Sequence, residues 1–214
     1  MPLEISEPFV KDVYDLVAQG QLVESEALLR EVIQDEPVSD LHSVLDLDEQ
    51  TFLPKLGDWL ESGIVDEVKL DSSVAISLSM GEFEVNYDDW SVSAIIHKSY
   101  DKPDDNYVWI SESEGYFLCD CYEVSGLSKI KNAIEKDYQW CLSADEGTAP
   151  YSSRVYTAAC YFLFILFLKA IRHIHSESIH RHINISGIHL FGSYGDCLYH
   201  SPPTFHSAKA NEAH

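Results

Sequence analysis

Four histidines occupy ten consecutive positions in the stretch "HIHSESIHRH", residues 173–182. Imidazole nitrogens bind transition metals and titrate near neutral pH, so the stretch suggests either a metal site or a pH sensor. On a continuous helix the same-face pairs, His173 with His180 and His175 with His182, would lie about 10 Å apart along the axis. Because metal–nitrogen bonds are only about 2 Å long, a continuous helix argues against one shared ion.

A break in the helix would change this conclusion. If the helix ends near Ser176 and a strand follows, His180 and His182 point to one face, and such a pair can ligate one ion. A third ligand would come from His173, His189, His200, Asp196 or Cys197. Otherwise His173 and Arg172 lie in the last helical turn and complement its exposed carbonyl groups. We favour the helix end, and so predict no metal and no cofactor. A metal-dependent enzyme or sensor built on His180, His182 and His173 is the alternative.

Other motifs do not indicate an enzyme. Cys119 and Cys121 share a strand face, but no second cysteine pair follows, so buried thiols are the better interpretation. The sequence has no G-x-S-x-G elbow and no phosphate-binding glycine loop, and the segment 192–196 reads as a turn. Because Cys–His or Ser–His partners can be distant in sequence, an enzyme stays open but is not our prediction.

The charge is strongly negative and unevenly distributed. The net charge is -22 over 214 residues; residues 1–70 carry -13, residues 71–150 carry -11, and residues 151–214 carry +2. Most of such a surface would repel phosphate groups, which argues against binding to nucleic acids or anionic membranes. A basic protein would instead be steered toward it.

Acidic and aromatic residues alternate in the turns predicted between residues 88 and 114. Brought together at a sheet rim, they would combine carboxylates that steer a partner with rigid aromatic anchors. The alternative is a solvated face that protects the sheet edges. The predicted partner-binding residues are Asp88, Asp89, Trp90, Asp101, Asp104, Asp105, Tyr107, Trp109, Glu112 and Glu114.

The elements that must position these residues fall into two regions. Residues 1–66 have apolar positions at helical spacing and predict a helix hairpin, closed by Gly20 and ended by Pro37, plus one or two further helices. The spacing from Gly20 to Pro37 resembles a single tetratricopeptide-type hairpin. Stacked repeats need several such units, so the resemblance implies a hairpin and not a solenoid.

Residues 67–206 change to a period of two and predict an antiparallel meander of four to five strands, beginning with "SSVAISLSM" as a half-buried strand. An all-round apolar helix from Arg154 to about His175 is predicted to be buried against the sheet, because 14 uninterrupted apolar residues are too few for a typical membrane span of about 20. Strand-like segments "GIHLFGS" and "CLYHS" follow, and residues 207–214 are predicted to be a flexible tail.

Together these patterns predict an α+β fold in one compact unit: an N-terminal helical layer, an antiparallel meander and a long buried C-terminal helix on the sheet. Five cysteines in apolar surroundings, and no secretory signal at the start, favour the cytoplasm. The predicted function is an acidic inhibitor that neutralises a basic protein, as toxin-immunity proteins, antitoxins and nucleic-acid mimics do. A scaffold or adaptor that binds through the N-terminal hairpin is a second alternative.

Overall fold

The architecture is taken from a computed structural model. It describes residues 8–36, 40–52, 55–60, 62, 75–80, 91–97, 115–117, 122–123, 127, 129–133, 136, 154–177, 188–194 and 197–202. Within these ranges the protein combines helices with a mixed sheet and a long helix near the C-terminal end. The expected mixture of helix and strand is therefore confirmed.

The N-terminal hairpin is formed by α1 (Pro8–Ala18) and α2 (Leu22–Asp35). Gly20 lies between them with a φ of 72°, a left-handed conformation that glycine adopts at no steric cost and that commonly ends a helix. Two short 3-10 helices follow, η1 (Asp40–Asp46) and η2 (Glu49–Thr51), and residues 55–60 are again helical. The apolar positions that predicted these helices include Val13, Leu29 and Phe52, each fully buried.

The long helix α3 (Arg154–Glu177) is the centre of the molecule. It is apolar on most sides, and its residues Phe162–Leu168 are all fully buried, as predicted for a helix covered all round. Among the described residues α3 is the one helix long and apolar enough to cross a bilayer, and 78% of its most apolar window is buried inside the protein. Such burial is typical of a core helix.

The sheet contains β1 (Ala75–Met80), β2 (Ser91–His97), β3 (Gly115–Phe117), β4 (Tyr122–Glu123), β5 (His189–Tyr194) and β6 (Cys197–Ser201). Its order is β3-β2-β1-β5-β6, and β4 also pairs with β2. The neighbours are antiparallel except for β1 and β5, which run parallel. The antiparallel meander of four to five strands is thus not confirmed, because the chain returns through α3 and adds β5 beside β1 in the same direction as β1.

One face of this sheet packs on α3. Directly opposite residues on paired strands point to the same side, so the register places Leu78 and Gly192 on a common face. A Cβ atom added at Gly192 would lie 2.4 Å from Leu168 Cδ2 and 3.1 Å from Ile171 Cδ1, both on α3. The strand therefore approaches the helix too closely for a side chain.

Strand β1 is buried on both faces over most of its length. Ile76 and Leu78 are fully buried toward α3, and Ala75 and Ser77, on the opposite face, are 0% and 8% exposed. The prediction of a half-buried strand was therefore wrong here. Its central place between β2 and β5 accounts for this difference, since central strands have neighbours on both edges and layers above and below.

We predict that Gly192→Ala lowers the free energy of unfolding by about 1–3 kcal/mol, because the added methyl group forces Leu168 and Ile171 to shift inside a close-packed core. Urea denaturation followed by circular dichroism measures the loss. Ser193→Ala, on the next residue of β5 and on the other face, is the matched control. A Gly192→Ala protein as stable as the wild type would contradict the close approach of β5 to α3.

Candidate functional site

The predicted partner-binding surface lies outside the described residues. All ten of its residues fall within positions 81–90 or 98–114, which the structure does not describe. The acidic and aromatic rim of the sheet therefore stays a prediction.

The first two histidines of "HIHSESIHRH" lie on α3, which ends at Glu177, near the predicted position. His173 is exposed, and its Nε2 atom lies 3.0 Å from Glu177 Oε2, four residues further along the same helix. Arg172 donates a hydrogen bond of 3.4 Å to the carbonyl oxygen of Gly20, not to a carbonyl of its own helix. His180 and His182 lie outside the described residues.

The second histidine on α3, His175, is buried and holds the two ends of the β5–β6 hairpin. Its Nε2 atom is 3.0 Å from the carbonyl oxygen of Ile188, and its Nδ1 atom is 2.7 Å from Ser201 Oγ. Because a carbonyl oxygen only accepts, Nε2 of His175 must carry a proton, and its second hydrogen bond joins Nδ1 to the Ser201 hydroxyl. The C-terminal turn of α3 is thereby fixed to the start of β5 and the end of β6.

Three further histidines lie on the face of the sheet turned away from α3. The register pairs Ala75 with His97 on one side and with His189 on the other, which places all three in one row across the sheet. His200 pairs with Phe191. Because Phe191 follows His189 by two residues, His189, Phe191 and His200 all point to the same face of the sheet. We call His97, His189 and His200 the sheet histidines.

The rings of His189 and His200 are joined by a direct hydrogen bond. Nδ1 of His189 lies 2.9 Å from Nε2 of His200, and the ring centroids are 5.1 Å apart with an angle of 19° between the ring planes. The distance between the centroids is close to the N···N distance plus the distance from each centroid to its own nitrogen. The hydrogen bond therefore lies in the planes of both rings. One ring therefore donates its N–H to the lone pair of the other.

This geometry does not suit a metal ion. Two ligands of one ion direct their lone pairs at a common point, whereas these two nitrogens point at each other. The ring of His200 also stacks on Phe191, with centroids 4.5 Å apart and an angle of 8° between the planes. Within the described ranges there is no group of three or more histidine, cysteine or acidic side chains placed to hold a metal ion.

The third sheet histidine, His97, is fully buried beside a serine. Its Nε2 atom is 2.8 Å from Ser77 Oγ. A serine within hydrogen-bond reach of an imidazole is the first requirement of a nucleophile activated by a base. Both side chains are less than a tenth exposed, so they form a hydrogen bond inside the sheet and are not accessible to a substrate.

All three sheet histidines have a lowered pKa. Burial lowers the pKa of His97, and burial with the nearby His175 lowers that of His189. Burial, followed by His189 and His175, lowers the pKa of His200 to about 4. The three rings are therefore neutral at pH 7, which fits one-way donation between His189 and His200.

The sequence pattern did not predict the contact between His189 and His200, although one signal for it was present. Tyr194 pairs with Cys197, and in the sequence two residues separate them, a spacing typical of a β-hairpin. Continuing this antiparallel register along both strands places Phe191 opposite His200. His189, two residues before Phe191, is then a diagonal neighbour of His200. No local signal predicted that His97 of β2 lies in the same row, because that row depends on the pairing of β1 with both β2 and β5.

Basic residues from the C-terminal half bind carboxylates of the helical layer. Lys169 on α3 lies 2.8 Å from Glu26 Oε2 and 2.9 Å from Glu49 Oε2. Two further ion pairs join Arg154 to the half-buried Glu36 and the exposed Lys136 to Asp40. These contacts tie α2, η1 and η2 to the rest of the fold and identify carboxylates with a structural role.

Comparison with family models, with curated proteins and with solved structures gives no match to this chain.

Proposed function

We propose that this protein binds a basic protein through its acidic surface and inhibits it by covering a cationic site. The observation that carries the proposal is the charge at the surface of the helical layer. Of the exposed charged side chains that the structure describes between residues 8 and 62, two are lysines, Lys11 and Lys55. The other nine are the carboxylates Asp12, Asp15, Glu24, Glu31, Asp35, Asp40, Asp46, Asp48 and Asp58.

The helical layer uses some of its carboxylates in internal ion pairs and exposes others at its surface. Glu26, Glu36 and Glu49 are half-buried and engage α3, and the exposed Asp40 engages Lys136. Asp48 caps η2 by accepting a hydrogen bond from the backbone N–H of Gln50. The exposed carboxylates on α1, α2 and η1 are Asp12, Asp15, Glu24, Glu31, Asp35, Asp40 and Asp46. Like-charged groups at such density repel each other, a cost that an approaching cationic surface relieves. Association with a basic partner is therefore fast and weakens with salt.

The packing of the hairpin favours this proposal over a scaffold that docks a helix on the hairpin. The apolar faces of α1 and α2, including Val13 and Leu29, are used inside the fold. Among the described residues Val23, at 66% exposure, is the large hydrophobic side chain left at the surface. What the hairpin offers to a partner is therefore charge. Deleting the hairpin would uncover α3, so surface substitutions are the appropriate test.

The test is capture from a native lysate by the immobilised full-length protein, at about 0.05 M salt and again at about 0.5 M, where the Debye length falls from roughly 14 Å to 4 Å. Two neutralised variants separate the surfaces. The helical variant carries Asp12→Asn, Asp15→Asn, Glu24→Gln and Glu31→Gln. The rim variant carries Asp88→Asn, Asp89→Asn, Asp104→Asn and Asp105→Asn.

We expect a basic protein to be captured at low salt and released at high salt. At least one neutralised variant should lose capture roughly tenfold or more, while the control variant Lys11→Gln with Lys55→Gln retains it. Circular dichroism checks that each variant is folded. Capture that is indifferent to salt, or equal for both neutralised variants and the wild type, would rule out binding driven by charge.

A further inference from the structure

The His189–His200 pair joins the two strands at the C-terminal edge of the described sheet. We infer that this pair is a pH-sensitive latch, which holds the β5–β6 hairpin in place at neutral pH and releases it in acid. The inference is independent of the proposed partner, since none of its residues belongs to the acidic helical layer or to the predicted rim.

The hydrogen bond between the two rings limits how many protons the pair can hold. In the neutral pair one N–H points at one lone pair across 2.9 Å. A first extra proton leaves that bond intact and places a positive charge in a half-buried site. A second extra proton removes the last lone pair at the contact, so that two N–H groups and two positive charges face each other. The fully protonated pair therefore separates.

The surroundings of the pair add to this repulsion. His175 on α3 acts electrostatically on both rings. His97 lies on β2 beyond Ala75, in the same row as His189. Arg172 on α3 lies near Tyr199 of β6. His175 and Arg172 act from α3, beyond the opposite face of the sheet, whereas His97 shares the face of the pair. Within the described residues these neighbouring groups are all bases, and β1 contributes the uncharged Ala75 and Ser77 to the face of the pair.

The latch acts on the hairpin because each of its two strands supplies one of the two histidines. His189 begins β5 and His200 lies near the end of β6, so the bond closes the end of the hairpin opposite the Tyr194–Cys197 pair. Ser201, next to His200, bonds to the buried His175 and anchors the same end to α3. Separation of His189 and His200 pulls on this anchor directly.

The direction of the pH effect follows from the lowered pKa of each ring. An imidazole in the detached hairpin takes up its proton near pH 6.5, whereas His200 in the closed hairpin does so only near pH 4. The detached state therefore binds more protons between these values, and closure weakens as the pH falls from about 6.5 to about 4. The latch is fully effective above this window.

Hydrogen exchange of the full-length protein, read at individual backbone amides, tests the inference. Between pH 7.5 and pH 5 we expect the protection factors of β6 amides, corrected for intrinsic exchange, to fall about tenfold more than those of the β1–β2 pairs. His200→Phe keeps a ring to stack on Phe191 but cannot be protonated, and it should remove most of this difference. His173→Gln, which changes an exposed histidine on α3, is the control and should behave like the wild type.

A second measurement on the wild type avoids any variant that fails to fold. Imidazole ¹⁵N shifts report the protonation of each ring, and we expect the pair to titrate in two steps, both below pH 6.5, the second together with the loss of β6 protection. Titration of both rings in one step at pH 6.5 or above would overturn the inference. So would a loss of protection spread equally over the whole sheet, or an unchanged difference in His200→Phe.

Discussion

Replacing Phe167 with alanine is expected to lower the free energy of unfolding by about 3–5 kcal/mol, a large part of the roughly 5–15 kcal/mol that stabilises a typical domain. Phe167 is fully buried in α3, and its ring centroid lies 5.9 Å from that of Phe52, just after η2. The substitution therefore removes core volume and a ring contact between α3 and the helical layer.

Guanidinium denaturation of the wild type and Phe167→Ala, followed by tryptophan fluorescence and by circular dichroism, measures this loss. Val23→Ala is the control, because Val23 is 66% exposed and its truncation should change stability by less than about 0.5 kcal/mol. If the two probes no longer give one transition in Phe167→Ala, the helical layer has separated from the sheet. A loss below about 1 kcal/mol would contradict tight packing of this ring.

The second large effect is expected for Lys169→Met, at about 1–3 kcal/mol near pH 7. The side chains of Lys169, Glu26 and Glu49 are 22%, 16% and 32% exposed, so their ion pairs fall between the surface and the buried case. Methionine fills a similar volume but leaves two carboxylates close together without their common cation. Removing one member of a partly buried network costs more than the network contributes as a whole.

The pH dependence of this loss identifies its cause. Burial opposes the shift, but hydrogen bonds from Lys169 and Arg30 hold the pKa of Glu26 below its ordinary value, and Lys169 lowers that of Glu49. Despite its burial, hydrogen bonds to Glu26 and Glu49 raise the pKa of Lys169. The stabilisation is therefore present above the ordinary carboxylate value of 4.5 and below the ordinary lysine value of 10.5. The stabilisation is lost in acid as the pH falls through the lowered pKa values of Glu26 and Glu49, and in base as it rises through the raised pKa of Lys169.

Urea denaturation of wild type and Lys169→Met at pH 7 and near pH 4 provides the measurement. The difference between the two proteins should shrink at the lower pH, because Glu26 and Glu49 of the variant take up protons more readily than those of the wild type. Lys55→Met changes an exposed lysine and should cost little at either pH. A difference of equal size at both values would mean that Lys169 acts through packing of its aliphatic part.

Sequence periodicity located the helices well, because each buries a continuous stripe that local spacing reveals. The buried Phe9, Val13 and Val17 predicted α1, and the apolar run that starts at Val155 predicted α3 almost to its last residue. The predicted strand segments that begin near residues 74, 90, 187 and 197 correspond to β1, β2, β5 and β6.

Strand partners were harder to predict because pairing is not a local property. A period of two marks Ala75–Met80 as a strand, but nothing within it reveals that β5 will lie parallel beside it. The row formed by His97, Ala75 and His189 depends on that pairing, so the arrangement of the sheet histidines was not predicted. The conspicuous stretch at 173–182 contributed His175, through a bond to Ser201 that spacing does not show.

The parallel pairing of β1 with β5 also determines when the chain can fold. Ala75 meets His189 only after more than a hundred intervening residues have been synthesised, and Phe52 and Glu26 likewise wait for Phe167 and Lys169. Closing such long loops is costly in entropy before the contacts that offset it are made. A nascent chain that has not yet produced α3 holds the hairpin and the β1–β2 pair without their common core. These segments can therefore complete their packing only after α3 and β5 have been synthesised, and until then their apolar surfaces stay exposed.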